Sequence, residues 1–134
     1  QKELEKQKVK DTGWITVNTF FNGCTHYGPN SNVQVRQCGK FVYIVGAVGN
    51  KNELATKQTS DEIPDVAMFK LPDGIGLPRT NVRFAQQGSG SNRFSVVVDA
   101  STRIVSIGRY GTTSCINVPA DSWLNVCLTY IVGD

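Results

Sequence analysis

From Gly13 onward the chain is a succession of short runs in which apolar and polar residues alternate, each closed off by Gly, Pro, Asn or Asp. Val33-Gln34-Val35-Arg36 and Thr80 to Ala85 show the alternation, Arg93 to Asp99 and Arg103 to Ile107 follow as further strand-like runs across turns, and Phe41 to Val48 and Trp123 to Val132 are more continuously apolar. A period of two sends successive side chains to opposite faces of a strand, and the abundance of Val, Ile, Thr and aromatics suits a pleated surface. Past Asp11 no helical period supplies a second kind of layer, so the apolar faces can be buried only by stacking sheet on sheet. About seven or eight short strands, many spaced near ten residues apart, predict an all-β, jelly-roll-like β-sandwich, with a barrel as the near alternative.

Individual segments follow from the same signals. Val33–Arg36 and Phe41–Val48, joined by Cys38-Gly39-Lys40, predict a hairpin whose second arm is buried. Asn22 to Asn30 is dense in turn formers and predicts a loop. Gly49 to Asp65 has no useful period and predicts a long surface excursion.

The first ten residues, QKELEKQKVK, differ in kind: strong helix formers without Gly, Pro, Ser or Asn. Ten residues do not hold a helix alone, but Leu4 could fill one layer of a coiled coil arriving from upstream. This divides the 134-residue chain into residues 1–12, the end of a helical neck or stalk, and residues 13–134, a β-sandwich head. A start at Gln1 followed by charged residues suggests that upstream sequence is missing.

Composition excludes several classes. No apolar run approaches the ~18 residues of a membrane helix, so no membrane insertion is expected. The formal charge is +3, and the leader, with four lysines against two glutamates, carries most of it. The rest has no basic stripe for phosphate backbones, which argues against nucleic acid. Cys24, Cys38, Cys115 and Cys127 lie far apart with no C-x-x-C pair and one histidine in the chain, so a zinc site has little support. No residue is assigned as a metal ligand, and loop Asp and Asn side chains leave calcium open without an EF-hand pattern. Three pairings into two disulfides are open, and free, buried thiols explain the same residues.

Catalysis has little to work with. The chain lacks G-x-S-x-G, H-E-x-x-H and P-loop motifs, and Gly88-Ser89-Gly90 has no following lysine. Asp61, Glu62 and Asp65 share one loop, where carboxylates are ordinarily solvated. The expectation is a protein that is not an enzyme and uses no cofactor. Binding fits better: saccharides need an aromatic face and planar polar groups, which loops at one end of a rigid sandwich can hold. His26 and Tyr27 share one loop, Arg109 and Tyr110 another, and Asp73, Arg79 and Trp123 sit at strand ends. The two tyrosines serve equally well as covers for the core edge, the arginines as solvated or carboxylate-paired groups, and Trp14 and Trp123 as core or subunit packing.

The order of segments carries a resemblance. Gly13-Trp14-Ile15-x-Val17, Asn22-Gly23, Tyr27-Gly28, Val33-x-Val35-Arg36, Gly39-x-x-Val42-x-Ile44-x-Gly46-x-Val48, Leu71-Pro72-Asp73-Gly74-Ile75-x-x-Pro78 and a closing strand follow the helical leader. Over nearly its whole length the chain resembles the C-terminal head domain of tailed-phage receptor-binding proteins, especially of phages infecting lactic acid bacteria and other Gram-positive hosts. The resemblance implies a homotrimer at the tail tip or baseplate of a virion, joined to other tail proteins through upstream sequence. It also implies non-covalent attachment to host cell-surface saccharide or a teichoic-acid-like polymer. One departure is Gly76, where many relatives carry an arginine; here Arg79 follows Pro78 instead. The rival readings are a structural trimeric tail or fibre tip without a ligand, and a secreted trimeric ligand of the tumour-necrosis-factor type.

Overall fold

The computed structural model describes residues 10–133, among which are eleven strands and no helix. The strands are β1 (Ile15–Thr16), β2 (Cys24–His26), β3 (Gln34–Cys38), β4 (Phe41–Val45), β5 (Ala47–Asn50), β6 (Asp65–Lys70), β7 (Val82–Gln87), β8 (Arg93–Val98), β9 (Ile104–Gly111), β10 (Trp123–Asn125) and β11 (Leu128–Ile131). They form three antiparallel sheets: β1-β3-β4-β11, β10-β5-β2 and β6-β9-β8-β7.

The first two sheets are one folded surface with a corner. The run from Phe41 to Asn50 breaks at Gly46, where φ is 111° and a Cβ would stand 2.3 Å from the Asn32 carbonyl oxygen. Only glycine takes that backbone without strain and leaves room for the crossing chain. Its partner strand breaks at the same level: Trp123–Asn125 pairs with β5, Leu128–Ile131 with β4, and the Val126 N–H between them donates to Gly46 O at 3.0 Å. Strands that switch sheets at a bend are the usual way to make such a corner.

The third sheet closes over this angle and is held at both edges. At one edge, Phe21 N–H donates to Met68 O at 2.9 Å, and Asn22 Nδ2 donates to Ala67 O at 2.8 Å. At the other, Gly88 bridges to Leu124, and the Gln86 amide bonds Asn125 Nδ2 (2.9 Å) and Cys127 O (3.1 Å). Between the layers lies one apolar core that includes Val35, Val42, Ile44, Met68, Phe69, Phe94, Val96, Ile107, Leu124 and Tyr130. Burying residues of this size is worth about 1.5–3 kcal/mol each.

Several expectations change. The helical neck is not found among the described residues: residues 10–12 are extended, Asp11 bridges to Cys38, and Thr12 N–H donates to Gln37 O at 3.0 Å. The open edge of β3 takes up these backbone groups, whereas a helix would have paired them internally. Residues 1–9 of the expected neck lie outside the described residues. The two-layer jelly roll is replaced by three sheets, because both long apolar runs fold at the Gly46 corner. The surface excursion is anchored: Leu54 and Val118 exchange two backbone hydrogen bonds of 3.0 Å, and buried Thr56 donates through Oγ1 to Ile116 O at 2.6 Å. The cysteines are free, yet only Cys24 is buried, its thiol pushed up to about 11 by desolvation, while Cys127 is exposed at the corner. Gly76 has no space for an arginine: a Cβ there would lie 2.7 Å from Val132 Cγ2, and its N–H donates to buried Gln37 Oε1 at 2.8 Å.

Gly46→Ala should destabilise the domain by about 3 kcal/mol, because both the φ and the Asn32 contact oppose a Cβ; a urea midpoint matching the parent would refute the corner's role. A second expectation concerns the turn between β8 and β9. There Asp99 Oδ1 accepts from Ser101 N–H (2.8 Å), Ser101 Oγ (2.8 Å) and Thr102 N–H (2.9 Å), which hold the carboxyl down at about 2 against an ordinary 3.8. A value lowered by folding contributes stability that is full above about pH 4 and is lost as pH falls through about 2. Asp99→Asn should flatten the acid limb of a stability–pH curve over that window, and parallel curves for the two proteins would exclude it.

Candidate functional site

The second sheet presents a hollow of about 400 Å³ lined by Thr25, His26, Tyr27, Gly49, Asn50, Lys51, Asp121 and Ser122. Its floor is open because Gly49 sits in register between Thr25 and Trp123 and carries no side chain. Tyr27 leans over this glycine: a Cβ on Gly49 would lie 3.5 Å from Tyr27 Cδ1, and the tyrosine remains 51% exposed. An aromatic side chain open to solvent beside charged and amide groups combines an apolar surface with hydrogen-bonding partners.

The walls are fixed by hydrogen bonds. His26 Nδ1 accepts the Val33 N–H at 2.9 Å, and Phe20 packs against the ring edge-to-face at 4.9 Å. With Nδ1 occupied as acceptor, neutral His26 carries its proton on Nε2. Buried Asn50 is fully engaged, donating to Asn52 O (2.9 Å) and Pro119 O (2.8 Å) and accepting from Ser122 N–H (3.0 Å). It therefore ties β5 to the turn that carries Asp121, which has a left-handed φ of 61°.

The sequence-predicted residues do not converge. His26 and Tyr27 share the hollow just described. Trp123 is half-buried on β10, in register with Gly49. Arg109 lines a separate hollow of about 200 Å³ with Arg93 and residues 111–115, while Tyr110 is buried and stacked on Phe94 at 6.1 Å. Asp73 and Arg79 are exposed on the loop following β6, away from both hollows. Sequence reasoning missed Lys51, Asp121 and Ser122. The Pro119-Ala120-Asp121-Ser122 turn composition hints at the last two alone and says nothing about what lies opposite, while Lys51 sits in the aperiodic segment of residues 49–65 with no signal of its own.

A third surface is the outer face of the first sheet, where Trp14 (47%), Phe41 (48%) and Ile131 (61%) are exposed alongside Tyr43. Arg36 makes a two-point ion pair with Asp11 (3.0 and 2.7 Å) and lies 5.9 Å from the Trp14 ring centroid. That guanidinium, with the Gly13 N–H, holds the Asp11 carboxyl well below the usual carboxylate range. The β4 arm, expected to be buried, turns out to alternate: Val42 and Ile44 point inward while Phe41 and Val45 face outward.

No protein-family model matches the chain, and no curated protein matches it in sequence. Among solved structures, the receptor binding protein (gp15) of Listeria phage PSA superposes with a TM-score of 0.60 at 14% identity, over 99% of this chain and 71% of that one. The chain shares the fold of a phage receptor-binding protein. At this identity the likeness concerns the path of the backbone.

His26→Ala should cost about 1–3 kcal/mol, because it strands the Val33 amide beside a fully buried side chain. Val33 should then exchange its amide proton faster than in the parent, and unchanged protection would show that His26 is not its partner.

Proposed function

We propose that this chain is the host-recognition head of a phage tail, attaching without bond cleavage to saccharide on the bacterial surface through the His26–Tyr27 hollow. The carrying observation is Tyr27, half exposed over Gly49 with His26, Lys51 and Asp121 around it. It offers a ring for a sugar's C–H face, with a donor imidazole, an ammonium and a carboxylate for its hydroxyls. The shared fold with a phage receptor-binding protein supports the same reading. Sites on the virion tip, at the tail end or baseplate, and attachment to other tail proteins belong to this proposal.

Copies associate as a homotrimer in this reading, with the outer face of the first sheet as the shared surface. Trp14, Phe41, Val45 and Ile131 expose apolar surface on one sheet face, and a closed symmetric assembly would cover them. Three heads on one tip would then gain avidity on a repetitive wall polymer even if each hollow binds weakly.

Cell-wall pull-down together with sedimentation tests both parts. The expected result is a trimer at micromolar concentration that binds host-wall saccharide and loses most of that binding in Tyr27→Ala or Asp121→Ala. A trimer that binds no wall preparation would favour the purely structural tip, and release of sugar fragments would refute binding without cleavage. A monomer that survives concentration would remove the shared-face assignment.

A further inference from the structure

We propose that the hollow between β8 and the end of β9 is a phosphate-binding site, with Arg93 and Arg109 as its two anchors. Resting on the surface-attachment reading above, it adds a second and chemically different ligand group to the saccharide hollow. Arg93 and Arg109 line one depression of about 200 Å³ with Thr112, Thr113 and Ser114, and no acidic residue is among its lining residues. Neither side chain has a hydrogen-bond or ion-pair partner among the described residues, whereas the Arg36 and Arg83 guanidinium groups each have a two-point carboxylate partner. Two like charges facing one depression repel each other, and an anion between them removes that repulsion and uses both planar forks.

The backbone is bent to produce this arrangement. Ser95 pairs with Gly108 but Arg93 pairs with Gly111, so β9 spends three steps where β8 spends two. The extra residue is a bulge at Arg109, whose φ of 57° is left-handed and unfavourable for a side chain such as arginine. Had the strand continued its regular alternation after inward Ile107 and outward Gly108, Arg109 would have pointed into the core. Instead Arg109 is exposed, and Tyr110 takes the inward position against Phe94. Glycine or asparagine would satisfy that φ at lower cost, so an arginine there trades local stability for a charge at the mouth of the hollow. The Thr112–Ser114 loop contributes three hydroxyls, suited to the remaining oxygens of a tetrahedral anion.

Nuclear magnetic resonance of the whole 134-residue chain, titrated with inorganic phosphate at constant ionic strength, tests the site. Saturable shifts are expected in the amides of Arg93 and residues 109–114, absent with chloride alone. Arg93→Gln and Arg109→Gly should each weaken binding about tenfold or more. Arg109→Gly should also raise the urea midpoint, which separates lost binding from lost folding. Shifts that never saturate, that chloride reproduces, or that persist undiminished in both variants would overturn the site. Glycerol phosphate and the diester glycerophosphoglycerol then distinguish a terminal phosphate from one inside a polymer; binding of either upholds the site and the tighter one names the source, whereas binding of neither overturns it. Saccharide binding is followed separately at the amides of Thr25 to Tyr27, so either hollow can fail without the other.

Discussion

The close crossing at Gly46 governs the architecture. A backbone that approaches the Asn32 carbonyl so nearly leaves no volume for a side chain, and the chain turns there from one sheet into the next. Because Val126 bonds to Gly46 at the same level, the closing strand must bend with it. Two long apolar runs thereby each serve two sheets, and the third sheet has an angle to close over rather than a flat partner. One small residue thus sets where the core lies and which way the second sheet faces.

The surfaces available for recognition are consequences of that geometry. On the second sheet, Gly49 leaves a depression that Tyr27 partly roofs, and Asn50 locks the turn bearing Asp121 beside it. On the first sheet the outward side chains of β4 and β11 include Phe41, Val45 and Ile131 beside Tyr43 and Thr129, so much of the face is apolar. On the third, a bulge reverses the expected alternation and brings Arg109 out beside Arg93. Each surface lies on a strand or next to one, so the polar groups are held by ladder hydrogen bonds and lose little freedom when a ligand arrives.

Much of the strand content was legible. The hairpin of Val82–Gln87 with Arg93–Val98 and its continuation through the Asp99 turn follow from alternation and turn residues alone. What misled was continuous apolarity. Phe41 to Val48 implied a fully buried strand because a one-dimensional pattern cannot tell a core face from an apolar outer face. The leader's helix propensity was likewise a weak guide, since at residues 10–12 the free edge of β3 offered backbone partners that propensity does not count. Of the site, the pairing of His26 with Tyr27 was visible as a local cluster, whereas Lys51 and Asp121 are distant in sequence and meet it only through the register of β5 and Asn50.

By itself the sequence determined the all-β character, the positions of most turns and the absence of the common catalytic motifs, because these depend on side-chain period and on single residues. Tertiary structure alone decided that there are three sheets, that Tyr110 is core while Arg109 is surface, and that Asp73 and Arg79 stand apart from His26. Such outcomes depend on register, on a one-residue bulge and on close backbone crossings, each of which joins positions that the linear pattern keeps separate.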